Sequence, residues 1–159
     1  MEVYLLRHGI AEDRAASGRD ADRALTDDGR KKLTKVLDRA RKAGVTPTLI
    51  LSSPLKRAFE TAEIAARDLG YSSEISITNS LTPDSSPHRV WTEIRAHRDE
   101  PSLLLAGHEP LFSATVAFML GSTRSMVEFK KAGLVRIDFD SLGAEPRGVL
   151  IWMITPKLA

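Results

Sequence analysis

Two histidines and two arginines in this sequence stand where they could handle a phosphate. His8 follows Arg7 and precedes Gly9; Arg57 closes the run Ser52-Ser53-Pro54-Leu55-Lys56-Arg57; His108 lies in Gly107-His108-Glu109-Pro110. Guanidinium forks match phosphate oxygens two at a time, and a helix start adds unpaired N–H groups and a favourable dipole. A neutral histidine is also a nucleophile, able to form a covalent intermediate that divides a hard transfer into two easier ones. Nearby cations lower a histidine's pKa. Arg7 and Arg57 are therefore expected both to bind a phosphoryl group and to keep His8 unprotonated. His108 would donate a hydrogen bond to the equatorial oxygens as charge redistributes.

These side chains meet only if the chain brings three separate segments to one edge. Val3 to Leu6 reads as a short buried strand. Thr26 caps a helix with Asp27 and Asp28 in its first turn, running to about Lys42 and ended by Gly44. Thr48 to Leu51 predicts a second strand, after which Ser52-Ser53-Pro54 opens a helix with a hydroxyl cap and proline at its first position, continuing to Gly70. Glu74 to Thr78 alternates like a third strand, and a helix follows from His88 to His97. Leu103 to Ala106 is another apolar strand, ended by Gly107. Pro110 sits just inside a helix through Leu120. Leu134 to Phe139 and Val149 to Ile154 pair as an antiparallel hairpin. The alternating order argues for an α/β class, a three-layer α/β/α arrangement with a mostly parallel central sheet and helices on both faces. Such sheets hold ligands at the carboxyl ends of their strands. All three candidate segments fall there.

Leu6-Arg7-His8-Gly9, then Ser53-Pro54-Leu55-Lys56-Arg57-Ala58 with Thr61, then Ala106-Gly107-His108-Glu109-Pro110 resemble, in that order, the histidine phosphatase superfamily, whose fold is called phosphoglycerate mutase-like. The chain's length, Ala24-Leu25-Thr26-Asp27-Asp28-Gly29 and Leu81-Thr82-Pro83 are similar to its small SixA-type branch, the phosphohistidine phosphatases. The resemblance spans nearly the whole chain. It implies His8 as the nucleophile and Arg7, Arg57 and His108 as the phosphate pocket. Gly9 and Ser53 are expected beside the phosphate, although the simplest use of Ser53 is as a helix cap. The expected partner is a phosphorylated protein, such as a phosphotransfer domain, or else a small phosphate ester.

One departure bears on the substrate. Larger members of the superfamily supply a carboxylic acid from an inserted segment to protonate an alkoxide leaving group. Here Leu81 to Val90 is short and its only acid is Asp84. A leaving imidazole can take its proton from solvent, since unperturbed imidazole titrates near pH ~6.5. The missing acid therefore favours a P–N over a P–O bond. Asp84 and Glu109 remain the candidate acids for a second reading, a small-molecule phosphomonoesterase. Glu109 also fits a plainer role at a helix N-terminus. A third reading is a phospho-ligand binding module in which His8 is idle, against which stands the retention of all four pocket residues.

The rest of the sequence sets bounds. The 159 residues suit one domain, 1–159, with 42% hydrophobic and 28% charged residues as in a soluble globular protein. A net charge of +2, without a basic stripe carrying interleaved aromatics, gives nucleic-acid binding little support. With no cysteine, thiolate chemistry and disulfides are excluded. The histidine spacing offers no metal triad and the arginines would repel a cation, so neither metal nor cofactor is expected. No apolar run approaches the roughly 20 residues that span a bilayer, and Arg7 follows the first strand too closely for a signal peptide. A cytoplasmic monomer is the expectation. His88 and His97 read as solvated surface, Trp91 and Trp152 as packing residues. The mixed-charge run from Glu12 to Arg23 reads as a solvated loop beside the pocket mouth.

Overall fold

The computed structural model of the protein describes residues 1–122 and 127–159. Among the described residues one sheet is formed by β1 (Glu2–Arg7), β2 (Leu49–Ser52), β3 (Ser76–Ile77), β4 (Ser102–Gly107), β5 (Leu134–Asp138) and β6 (Val149–Ile154), in the spatial order β3-β2-β4-β1-β5-β6. The first four in that order run parallel; β5 is antiparallel to β1, and β6 to β5. This is the mostly parallel sheet with a C-terminal hairpin expected from the sequence, in the phosphoglycerate mutase-like arrangement.

Strand periodicity explains the layers. Along β1, Val3 and Leu5 enter one core while Tyr4 and Leu6 enter the other, and all four are fully buried. The register Val3↔Leu103, Tyr4↔Leu104 and Leu5↔Leu105 carries the same alternation into β4. Strands buried on both faces need helices on both, so they read in sequence as uninterrupted apolar runs. α1 (Asp27–Lys42) and α2 (Lys56–Leu69) cover the Tyr4 and Leu6 face through Leu33, Val36, Leu37, Ala62 and Ala65. On the Val3 and Leu5 face lie α3 (Pro87–Ala96) and α4 (Leu111–Met119), contributing Val90, Trp91, Ile94, Phe112 and Val116. No helix among the described residues is long and apolar enough to cross a membrane.

Helix boundaries follow the capping chemistry. Thr26 Oγ1 accepts the Gly29 N–H at 3.0 Å, with two acids opening α1 and Arg39, Arg41 and Lys42 closing it. Ser86 caps α3 and Pro87 takes its first position, one residue ahead of the expected start. Three expectations need correction. Helix α2 begins at Lys56, not at Pro54, because Ser53 is still following the sheet: its N–H bonds the Ala106 carbonyl at 3.0 Å. Pro110 precedes α4 instead of entering it, and the Glu109 carboxylate caps that helix by accepting the Ser113 N–H at 2.8 Å. The third strand shrinks to Ser76–Ile77, an exposed edge pairing only with Leu51 and Ser52. Short edge strands of this kind present few unpaired backbone groups.

Candidate active site

The sheet register places the pocket. Arg7 lies opposite Gly107 and Ser52 opposite Ala106, so β1, β2 and β4 end at one level. The ladder then continues one residue further: His8 N–H bonds the Gly107 carbonyl, as Ser53 N–H bonds that of Ala106, each at 3.0 Å. His8, Ser53 and His108 thus leave the sheet side by side. Gly107 has no room for a side chain, since a Cβ there would meet the Phe112 ring at 2.6 Å. Behind β1, the segment before β5 clasps the end of the strand that carries Arg7 and His8. Gly133 O accepts the Arg7 N–H at 3.0 Å, and His8 O accepts the Ala132 N–H at 3.1 Å.

His8 is 7% exposed, and its Nδ1 lies 2.7 Å from the Gly9 carbonyl. A carbonyl can only accept, so Nδ1 carries the proton and Nε2 keeps its lone pair. Gly9 is itself held by its N–H to Thr61 Oγ1 at 3.2 Å, and that hydroxyl donates to the Arg57 carbonyl at 2.7 Å. The His8 pKa is pushed down to about 4. Burial is the larger cause; the Gly9 hydrogen bond opposes it, and Arg57, Arg7 and Lys131 add to it. The arginines therefore help keep His8 neutral, as expected, but they come second to desolvation.

His108 is 1% exposed, and its ring centroid is 5.0 Å from that of His8. Burial, followed by His8 and Arg57, lowers its pKa to about 3. Its Nε2 lies 2.9 Å from Ser53 Oγ, while its buried Nδ1 has no hydrogen-bond partner among the described residues. Ser53 Oγ also accepts the Leu55 N–H at 3.4 Å, which leaves the hydroxyl proton free for Nε2. When the hydroxyl donates to Nε2, Nδ1 is an N–H with no acceptor among the described residues. Arg7 is similar: its guanidinium donates to the Phe129 carbonyl, and its buried Nε has no hydrogen-bond partner among the described residues. Buried donors of this kind are rare unless something outside the chain completes them.

Arg57 is 6% exposed and stands in the first turn of α2, as expected. The sequence did not reveal its partner. Asp20, in a 3₁₀ turn of the loop after β1, accepts from Arg57 Nη1 through its backbone carbonyl at 3.0 Å and pairs with Nη2 through its carboxylate at 3.1 Å. Arg23 and then Arg57 hold that carboxylate below the usual range. Its place in the loop between β1 and α1 was the available signal, masked by the mixed charges around it.

The four pocket residues and Ser53 come together, and Gly9 supplies the carbonyl that orients His8. The two candidate acids are placed differently. Asp84 is exposed, and a hydrogen bond from Thr82, with Arg89 nearby, holds it ionised below the ordinary carboxylate range. Glu109 spends one oxygen capping α4, although its charge still acts on Arg7.

Comparison with known proteins places this geometry in a family. The sequence profile of the histidine phosphatase superfamily (branch 1) matches residues 3–82. An uncharacterized protein of Picosynechococcus sp. is 38% identical over 139 residues, which is 85% of this chain and 83% of that protein. The structure of the protein histidine phosphatase SixA complexed with tungstate is similar with a TM-score of 0.87 at 27% identity, covering 99% of this chain and 98% of that one. For the SixA chain of Agrobacterium tumefaciens the TM-score is 0.82 at 28% identity, over 98% and 97% of the two chains. The chain belongs to the histidine phosphatase superfamily, branch 1, and is a phosphatase of the SixA type.

Proposed function

We propose that the protein hydrolyses phosphohistidine on a protein substrate through a covalent phosphoryl intermediate on His8. The observation that carries this reading is the Nδ1–Gly9 bond of 2.7 Å in a ring whose pKa is about 4, which leaves His8 Nε2 unprotonated at neutral pH. In the first step Nε2 attacks phosphorus as the bond to the substrate imidazole breaks, and that imidazole takes a proton from solvent. Arg7 and Arg57 hold the equatorial oxygens, with the vacant His108 Nδ1–H donating to a third. The Gly9 carbonyl stabilises the phosphorylated ring through its Nδ1–H. Water then attacks the phosphoryl group, orthophosphate departs with the proton balance met by solvent, and neutral His8 returns.

Tungstate, the ion in the related SixA structure, is a tetrahedral oxyanion like phosphate, which supports a phosphate-like ligand for this chain. The choice of a P–N bond rests on the acids. Asp84 is exposed and ionised, and Glu109 is engaged as a cap, so neither is set to protonate an alkoxide. Comparing hydrolysis of a histidine-phosphorylated protein with that of a sugar phosphate tests the reading. We expect kcat/KM for the phosphohistidine to exceed that for the sugar phosphate by orders of magnitude. Equal values, with the sugar phosphate activity lost in Asp84→Asn or Glu109→Gln, would instead establish a phosphomonoesterase.

A further inference from the structure

A cavity of about 700 Å³ shares Arg7 with the pocket, and five of the ten described residues that line it are cations. Lys32 comes from α1, Lys130 and Lys131 from the segment before β5, and Lys157 from beyond β6, so three distant stretches of chain converge there. Among the described residues the one acid on the rim, Glu128, is already paired with Lys130. Five cations against one carboxylate leave a local surplus of four, whereas the whole chain carries +2. The other charged residues of the sequence therefore net minus two. The positive charge of this molecule is concentrated beside its nucleophile.

We infer that this cavity is a docking surface for the acidic face of a folded phosphoprotein, which it holds while the phosphohistidine enters the His8 pocket. The inference rests on the proposed substrate class and adds where and how that protein is recognised. Three features favour a protein over a small anion. The phosphate has its own partners in buried Arg57 and half-buried Arg7, so the lysines are surplus to it. All four lysines are exposed, and a lysine on a flexible stem suits dispersed carboxylates better than the bidentate geometry of a phosphate. Finally, Ile10, Met153 and Pro156 also line the cavity, giving an apolar surface to a side chain of a partner and little to an inorganic ion. Charge of this kind steers encounter and fixes orientation, and it weakens as salt screens it.

The test uses Lys32→Glu/Lys157→Glu, because Lys131 acts on His8 and Lys130 adjoins the Phe129 carbonyl that holds Arg7. Both chosen lysines are exposed, and a Lys32→Gln/Lys157→Gln pair controls for folding. Binding is measured by calorimetry in a His8→Ala background, so that nothing turns over. The probes are a histidine-phosphorylated phosphotransfer domain of net negative charge, the same domain with its surface carboxylates neutralised, and free phosphohistidine. We expect the Glu pair to weaken the acidic domain at least tenfold and the Gln pair to weaken it less. Free phosphohistidine should stay within twofold, and the neutralised domain should already bind weakly. With His8 restored, kcat/KM on a small aryl phosphate should also stay within twofold. Unchanged binding of the acidic domain, or an equal loss for free phosphohistidine, would overturn the docking surface even if phosphohistidine is hydrolysed. Binding that follows the charges while the wild-type protein leaves phosphohistidine intact would keep the surface and overturn the hydrolytic reading.

Discussion

At the scale of single residues, the pocket depends on two histidines kept neutral mainly by burial. Their folded pKa values, about 4 for His8 and about 3 for His108, lie below the ordinary imidazole value. Above pH ~6.5 neither ring is charged, folded or unfolded, and neither contributes to pH dependence. Below it the unfolded chain takes up protons that the folded one refuses, so stability falls as the pH drops from about 6.5 towards 4. The loss from His8 alone is limited to about 3 kcal/mol. Urea unfolding at pH 7 and pH 5 should show this loss, and it should shrink in His8→Ala. Ring ¹⁵N spectra at pH 6 should show both histidines neutral, with His8 protonated at Nδ1; an imidazolium signal from His8 would contradict the tautomer on which its nucleophilicity rests. Arg57→Ala should cost roughly 10²–10³ in rate, the scale for removing a preorganised charge-stabilising donor. Asp20→Asn is different in kind. It keeps the backbone carbonyl on Arg57 but removes a negative charge from the anion site, so tungstate should bind several-fold more tightly. Weaker binding would mean that the carboxylate chiefly holds Arg57 in place.

At the scale of elements, what the sequence disclosed followed its local physics. Buried parallel strands announce themselves as apolar runs, and β1, β2 and β4 were therefore legible together with the residues at their ends. The start of α1 was legible from Thr26 and its two acids. Other boundaries were not, because tertiary bonds decided them. Ser53 has the residue type of a cap, yet its N–H stays with the sheet and its hydroxyl turns to His108. Asp20 was illegible for a similar reason: its contact with Arg57 spans 37 positions, and nothing local marks one acid among several. Close packing of elements is likewise invisible in sequence. A Cβ on Gly29 would lie 2.2 Å from the Ile10 carbonyl, where α1 presses on the loop two residues past His8. Gly29→Ala must push α1 or that loop away, at a cost of about 1–3 kcal/mol. Its chemical denaturation midpoint should drop and its kcat should fall, since the displaced loop carries the Gly9 carbonyl. An unchanged midpoint and rate would show that this contact relaxes freely.

For the whole molecule, the two-sided sheet acts as a rigid base that brings segments around positions 8, 53 and 108 to one edge, and α1 and the segments flanking the C-terminal hairpin then frame that edge with lysines. This asymmetry was not legible in a net charge of +2, because charge balance over a chain says nothing of its distribution in space. The cycle we propose for this arrangement is that an acidic phosphoprotein docks, His8 accepts its phosphoryl group, and water releases it. The step on which all the rest depends is the transfer to His8. Mixing the protein with a ³²P-labelled histidine-phosphorylated protein, quenching in alkali within milliseconds and mapping the label by mass spectrometry without acid tests it directly. The account predicts transient label on His8, lost with the rate of turnover and absent in His8→Ala, which should still bind tungstate. Full turnover with no label on His8 at any time, or turnover surviving in His8→Ala, would contradict it.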